Sequence, residues 1–195
     1  MFNQVTEFEE RLAKFFGAPY AVAVDSCTHA LELSLRYTNT EDTFCPRYTY
    51  ASVPMTLHKL GIKWHYEEIE WEEFYYLGGT QIIDAATMWR PNSYRKETYT
   101  CISFQFQKHL SLGRGGAILV SNFKDYDALT RMSYDGRARG TPWANQEINA
   151  IGYHYYMTPE TAQLGIEKFD AAVAKEPRIW TWKDYPDLRK NLQCF

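Results

Sequence analysis

Ser103-Phe104-Gln105-Phe106-Gln107-Lys108-His109-Leu110-Ser111-Leu112-Gly113-Arg114-Gly115-Gly116 joins two β-rich runs of this 195-residue chain. Thr98 to Phe104 is rich in β-branched and aromatic residues and predicts a strand; Ala117 to Val120 predicts another. Lys108 stands four residues beyond Phe104, and Gly113 to Gly116 turns the chain into the next strand. Open α/β sheets bind their ligands outside the carboxyl ends of strands, so a lysine at this position is a candidate reactive group.

Outward from this segment the chain alternates. A first helix is predicted to open on a capping box of Thr6 and Glu9, with Val5, Phe8, Leu12 and Phe15 at helical spacing. Gly17 and Pro19 stop it. Strand Tyr20 to Val24, helix Thr28 to Tyr37, strand Thr43 to Cys45, helix Ala51 to Leu60 and strand Ile62 to Tyr66 follow. A strand is expected at Gln81 to Asp84, and helices at Phe123 to Ser133 and Pro159 to Lys175, the last with Thr158 as its N-cap. This alternation is the signature of an α/β domain with a parallel sheet and helices on its faces.

Composition narrows the classes of partner. A net charge of −3 provides no basic stripe, which argues against nucleic acid and anionic membrane. No apolar run reaches membrane-span length, and MFNQVTEFEE lacks the regions of a signal peptide. Four widely spaced cysteines without a CxxC pair read as reduced thiols, and with them a cytoplasmic location is expected.

Three strand ends carry groups that belong together. Asp25-Ser26-Cys27-Thr28 leads into a helix N-terminus, whose free N–H groups and dipole suit a phosphate. Asp84 follows a short buried strand, and Ser103 and Lys108 follow another. A phosphate site, an acid and a lysine suit pyridoxal phosphate (PLP), the lysine carrying the cofactor and the acid holding its pyridine nitrogen protonated. Each piece also has a bland reading: a simple N-cap at Ser26, a turn-capping Asp84, a solvated Lys108 and a glycine hairpin.

Order and spacing favour the joint reading. The stretch from Ser103 to Gly116 resembles the Ser-Phe, three residues, Lys, any, Leu, two residues, Gly, any, Gly-Gly pattern of the nucleotide-sugar aminotransferases, the DegT/StrS group. Asp84-Ala85-Ala86, Ser26-Cys27-Thr28-His29-Ala30-Leu31, Pro46-Arg47-Tyr48-Thr49-Tyr50 and Gly152-Tyr153-His154-Tyr155-Tyr156-Met157-Thr158 are similar to further motifs of that family. The resemblance covers about residues 5 to 170. It implies a three-layer, mostly parallel PLP large domain of the aspartate-aminotransferase type at 1–170, and a short helical tail at 171–195. It also implies a Schiff base on Lys108, with Asp84 on the pyridine nitrogen, Ser26, Cys27, Thr28 and Ser103 at the phosphate, and Tyr50 over the ring. The implied reaction moves an amino group from an amino acid such as glutamate to a keto sugar nucleotide, in a homodimer. The partner is reached by the loop from Gly136 to Met157, with His154 approaching the other subunit's phosphate.

Departures from the family's pattern define the alternative. Cys27 replaces a glycine, Thr87 a glutamine near the cofactor hydroxyl, His154 an asparagine and Tyr156 an arginine. About one strand fewer fits between Ile62 and Asp84, and most of a C-terminal small domain is expected to be missing. These changes suit a PLP-binding or dimerising remnant without turnover. A lyase or dehydratase fits less well, because the family's dehydratases replace the lysine that is present here as Lys108.

Overall fold

A computed structural model describes residues 2–194. Its elements run α1 (Asn3–Phe16), β1 (Tyr20–Val24), α2 (Cys27–Tyr37), β2 (Asp42–Pro46), α3 (Ser52–Lys59) and β3 (Lys63–Glu67). Then come β4 (Tyr75–Tyr76), β5 (Ile82–Asp84), β6 (Tyr99–Ser103), β7 (Gly116–Val120), α4 (Phe123–Ser133), α5 (Pro159–Val173) and α6 (Leu188–Asn191).

The capping box expected at Thr6 and Glu9 does not form. Helix α1 begins one turn earlier, Thr6 Oγ1 donates to the Phe2 carbonyl, and Glu9 lies inside the helix. Its buried carboxylate accepts from the Ala23 N–H at 2.7 Å and from Arg139 at 2.8 Å. Burial pushes Glu9 above the ordinary carboxylate range, partly offset by Arg139. A core role outcompeted the local cap.

The expected mostly parallel sheet is also corrected. Five strands lie in the order β1-β7-β6-β5-β4, and β5 against β6 is the parallel pair among them. Strand β7 returns antiparallel along β6 through the glycine-rich turn and pairs antiparallel with β1; β4 runs antiparallel to β5. Strands β2 and β3 form a separate parallel pair. The two-residue β4 closes that edge of the sheet.

Strand residues alternate between two apolar clusters, as a period of two requires. Ala21, Ala23, Ala117 and Leu119 pack with α1 and α5, whereas Val22, Val24, Ile118 and Val120 pack with α2. Phe8 and Phe104 meet edge to face on the first side, and burying a side chain of this size contributes about 1.5–3 kcal/mol. Thr158 caps α5 and Pro159 opens it, as the sequence predicts.

Beyond α5 the tail folds back across the carboxyl end of the sheet. Backbone bonds join Glu73 to Trp180, Trp182 to Trp71 and Leu188 to Arg47. A 3-10 turn at Trp182–Asp184, with Thr181 and Asp184 as a capping box, sets the tail's course. Among the described residues, no helix is long and apolar enough to cross a membrane.

Candidate active site

The strand ends converge on a cavity of about 400 Å³. Ser26, Cys27 and Thr28 reach it from the start of α2, Asp84 from the end of β5, Ser103 from the end of β6, and Lys108 from the following loop. Tyr50 and Thr87 also line it. Glycine makes the junction possible: a Cβ on Gly116 would stand 2.5 Å from Cys27 N, against the Ser26–Cys27 peptide. Close approach of the β7 start to the α2 N-terminus therefore requires the final glycine of the lysine segment.

At the α2 end, Ser26 Oγ accepts from His29 N at 3.2 Å as the helix cap. Thr28 Oγ1 donates to Ser52 Oγ at 2.9 Å. The first N–H groups of a helix lack intrahelical partners and carry its positive end, so this corner suits an anion. Asp25, next to it, is held by His29 at 2.5 Å and Arg114 at 2.7 Å.

The acid and the amine sit deeper. Asp84 is buried; its Oδ2 accepts from the Tyr75 hydroxyl at 2.5 Å and its Oδ1 from Ala86 N at 3.0 Å. Burial raises its pKa above the ordinary carboxylate range, opposed by Tyr75, Ala86 N and Lys108. Burial likewise pushes the Lys108 amine below the ordinary lysine range, with Asp84 and Cys27 acting in the opposite direction. Two groups of opposite charge thus share a desolvated space, which is where functional pKa shifts concentrate.

Some expected residues are placed otherwise. Thr87 lines the cavity, but its hydroxyl donates to the Glu73 carbonyl at 2.8 Å. His154 does not line it; its side chain is 70% exposed and pairs with Asp135 at 3.1 Å. The sequence reading also missed part of the wall. Trp71, Glu73 and Tyr75 contribute from the β4 side, and Trp180, Asp184 and Tyr185 from the tail. Lys108 Nζ lies 5.3 Å from the Trp180 ring centroid. The aromatic density of Ile179-Trp180-Thr181-Trp182-Lys183-Asp184-Tyr185 was the available signal for the tail; Tyr75 carried none beyond an aromatic run.

Comparison with solved structures shows the same fold. AtS13 from Actinomadura melliaura matches with a TM-score of 0.76 at 18% identity, covering 87% of this chain and 60% of that one. The PLP-form structure of Spr1654 from Streptococcus pneumoniae gives 0.73 at 18% identity, covering 88% and 60%. The sugar aminotransferase CalS13 from Micromonospora echinospora gives 0.71 at 14% identity, covering 88% and 61%. The chain thus spans about 60% of the length of AtS13 and Spr1654. No curated protein sequence matches it. The model of the DegT/DnrJ/EryC1/StrS aminotransferases matches residues 1–76 and 94–182, leaving out the segment with Asp84 and Thr87. With most of its length matched, Lys108 included, the chain belongs to the DegT/DnrJ/EryC1/StrS aminotransferase family.

Proposed function

We propose that this chain binds PLP on Lys108 and serves as the cofactor-binding half of an aminotransferase. The reaction moves an amino group from an amino acid such as glutamate to a keto sugar nucleotide. The observation that carries this reading is the joint lining of one cavity by the Lys108 amine, the Asp84 carboxylate and the α2 N-terminus. PLP, when bound, supplies an electron sink for labile bonds at the amino-bearing carbon.

The chain's own residues divide the work. Lys108, whose pKa burial lowers, would hold the cofactor carbonyl and, once the substrate amine has displaced it, would move a proton at the substrate carbon. Asp84 pairs with the pyridine nitrogen. Thr28, Ser103 and the N–H groups opening α2 hold the phosphate, with Ser26 and Cys27 shaping that turn. The Tyr50 ring, 61% exposed, covers the pyridine. Trp180 and Tyr185 exclude water from the substrate side. A second copy completes the site, with Trp143, Ile148 and Ile151 as exposed apolar groups of the Gly136–Met157 loop and His154 facing the partner's phosphate. One observation favours the alternative of a PLP-holding relative without turnover: the Thr87 hydroxyl is already committed to Glu73.

Adding PLP to the purified protein should produce a protein-bound absorbance band, and adding glutamate should convert it to that of the amine form. A bound band that no amino donor converts would establish the non-turnover alternative. The phosphate assignment has its own test. Hydrogen bonds to a charged group are worth about 1.5–3 kcal/mol each, so Thr28→Ala with Ser103→Ala should weaken PLP binding by at least about tenfold. Fluorescence titration giving wild-type affinity for the double variant would refute that assignment.

A further inference from the structure

Asp84 is not held by the cavity alone. Strand β4 is two residues long, and its register puts Tyr75 directly across from Asp84. The Tyr75 hydroxyl donates to Asp84 Oδ2 at 2.5 Å, and Thr49 Oγ1 lies 2.5 Å from the same hydroxyl. Thr49 is 2% exposed, Tyr75 5% and Asp84 5%, so water does not compete for these bonds. An ionised carboxylate only accepts, which fixes the direction of the chain: Thr49 donates to Tyr75, and Tyr75 donates to Asp84. Ala86 N takes the other oxygen, leaving each oxygen a further lone pair for a partner in the cavity.

We propose that Thr49 and Tyr75 are positioning residues that hold Asp84 ionised and oriented toward the cofactor nitrogen, an inference that rests on the proposed PLP function. The Pro46-Arg47-Tyr48-Thr49-Tyr50 segment then has two roles. Tyr50 lines the cavity, and the neighbouring Thr49 bonds the Tyr75 hydroxyl that holds the acid. Tyr75 stays a neutral donor across the working range, because burial and Asp84 push its phenol well above the usual value. The groups coupled to Asp84 from the surrounding elements are Cys27, Cys45, Cys101, Lys108 and Tyr185, besides Tyr75. Of these, Lys108 alone is cationic, and it shares the cavity with Asp84. Tyr75 is therefore the side-chain hydrogen-bond donor that keeps the acid charged without standing in the cofactor's place.

The test is a titration of the Asp84 side-chain carboxyl carbon by NMR in the cofactor-free protein. Removing one charge-assisted bond in Tyr75→Phe should raise its midpoint by about one pH unit or more. Thr49→Val should move it the same way by less, because the donor remains but loses its orientation. Fluorinating Tyr75 alone makes the phenol a stronger donor without changing its packing, and should move the midpoint down. With PLP bound, the pH range in which its ring nitrogen is protonated, read by nitrogen-15 NMR, should narrow in Tyr75→Phe. Unshifted titration in the fluorinated protein and in Thr49→Val would overturn the proposal even if Tyr75→Phe failed to fold. Failure of the wild type to bind PLP would overturn the proposed function, while the cofactor-free titration would still decide whether the chain controls Asp84.

Discussion

Borohydride reduction in the presence of PLP should fix the cofactor to Lys108 and to no other lysine, and Lys108→Ala should abolish that product completely. Addition to a carbonyl requires the neutral amine. A lysine whose pKa is lowered holds more of that form at neutral pH, and burial lowers Lys108. Lys59 goes the other way: its ammonium bonds Glu32 at 2.9 Å, which raises its pKa and keeps it charged. Lys168 is engaged with the Ser111 carbonyl at 2.9 Å, outside the cavity. Lys108→Ala should nevertheless retain PLP noncovalently, because the Thr28–Ser103 corner, Asp84 and Tyr50 remain. Peptide mapping by mass spectrometry reads both outcomes. A reduced adduct on Lys96 or Lys124 would show that the lysine segment had been misaligned with its family.

Signals in the sequence differed in how local they were. The lysine segment was legible because its spacing is set by one hairpin: β6 ends, the lysine follows, and the glycines bring β7 back against α2. Ser26 and Thr158 were legible as caps because capping acts within three residues. The Thr6–Glu9 pair shows the limit of that logic. Glu9 answers to Ala23 and Arg139, which are distant in sequence and near only after folding. Strand direction failed for a similar reason. Alternating helices and strands predict a parallel sheet, yet the connection from β6 to β7 is a turn without a helix, which forces an antiparallel return. Trp180 and Tyr185 reach the cavity only because the tail pairs with residues 47 and 71–73, and no local rule encodes that pairing.

Asp84→Asn separates carrying the cofactor from using it. The substitution conserves shape and removes charge. Both present partners of Asp84, the Tyr75 hydroxyl and Ala86 N, are donors, and an amide offers only one acceptor oxygen. If that oxygen stays with Ala86 N, the amide nitrogen faces Tyr75, whose hydroxyl can turn to accept it and donate to Thr49 instead. The fold should therefore hold, and the Lys108 adduct should still form. Amino transfer should not survive in the same way, because a neutral amide does not favour a protonated pyridine nitrogen. Losing one preorganised electrostatic partner in an enclosed site costs about 10²–10³ in rate, so single-turnover amino transfer should slow by at least about a hundredfold. The pH dependence gives a second signature. The Asp84 pKa lies above the ordinary carboxylate value, and its useful form is the charged one. That upward direction belongs to the cofactor-free protein, and a protonated pyridine nitrogen beside Asp84 acts against it. Wild-type transfer should fall away where falling pH protonates Asp84, whereas the Asn variant should lack that acid limb. Equal rates and equal acid limbs in the two proteins would show that Asp84 is not the partner of the cofactor nitrogen.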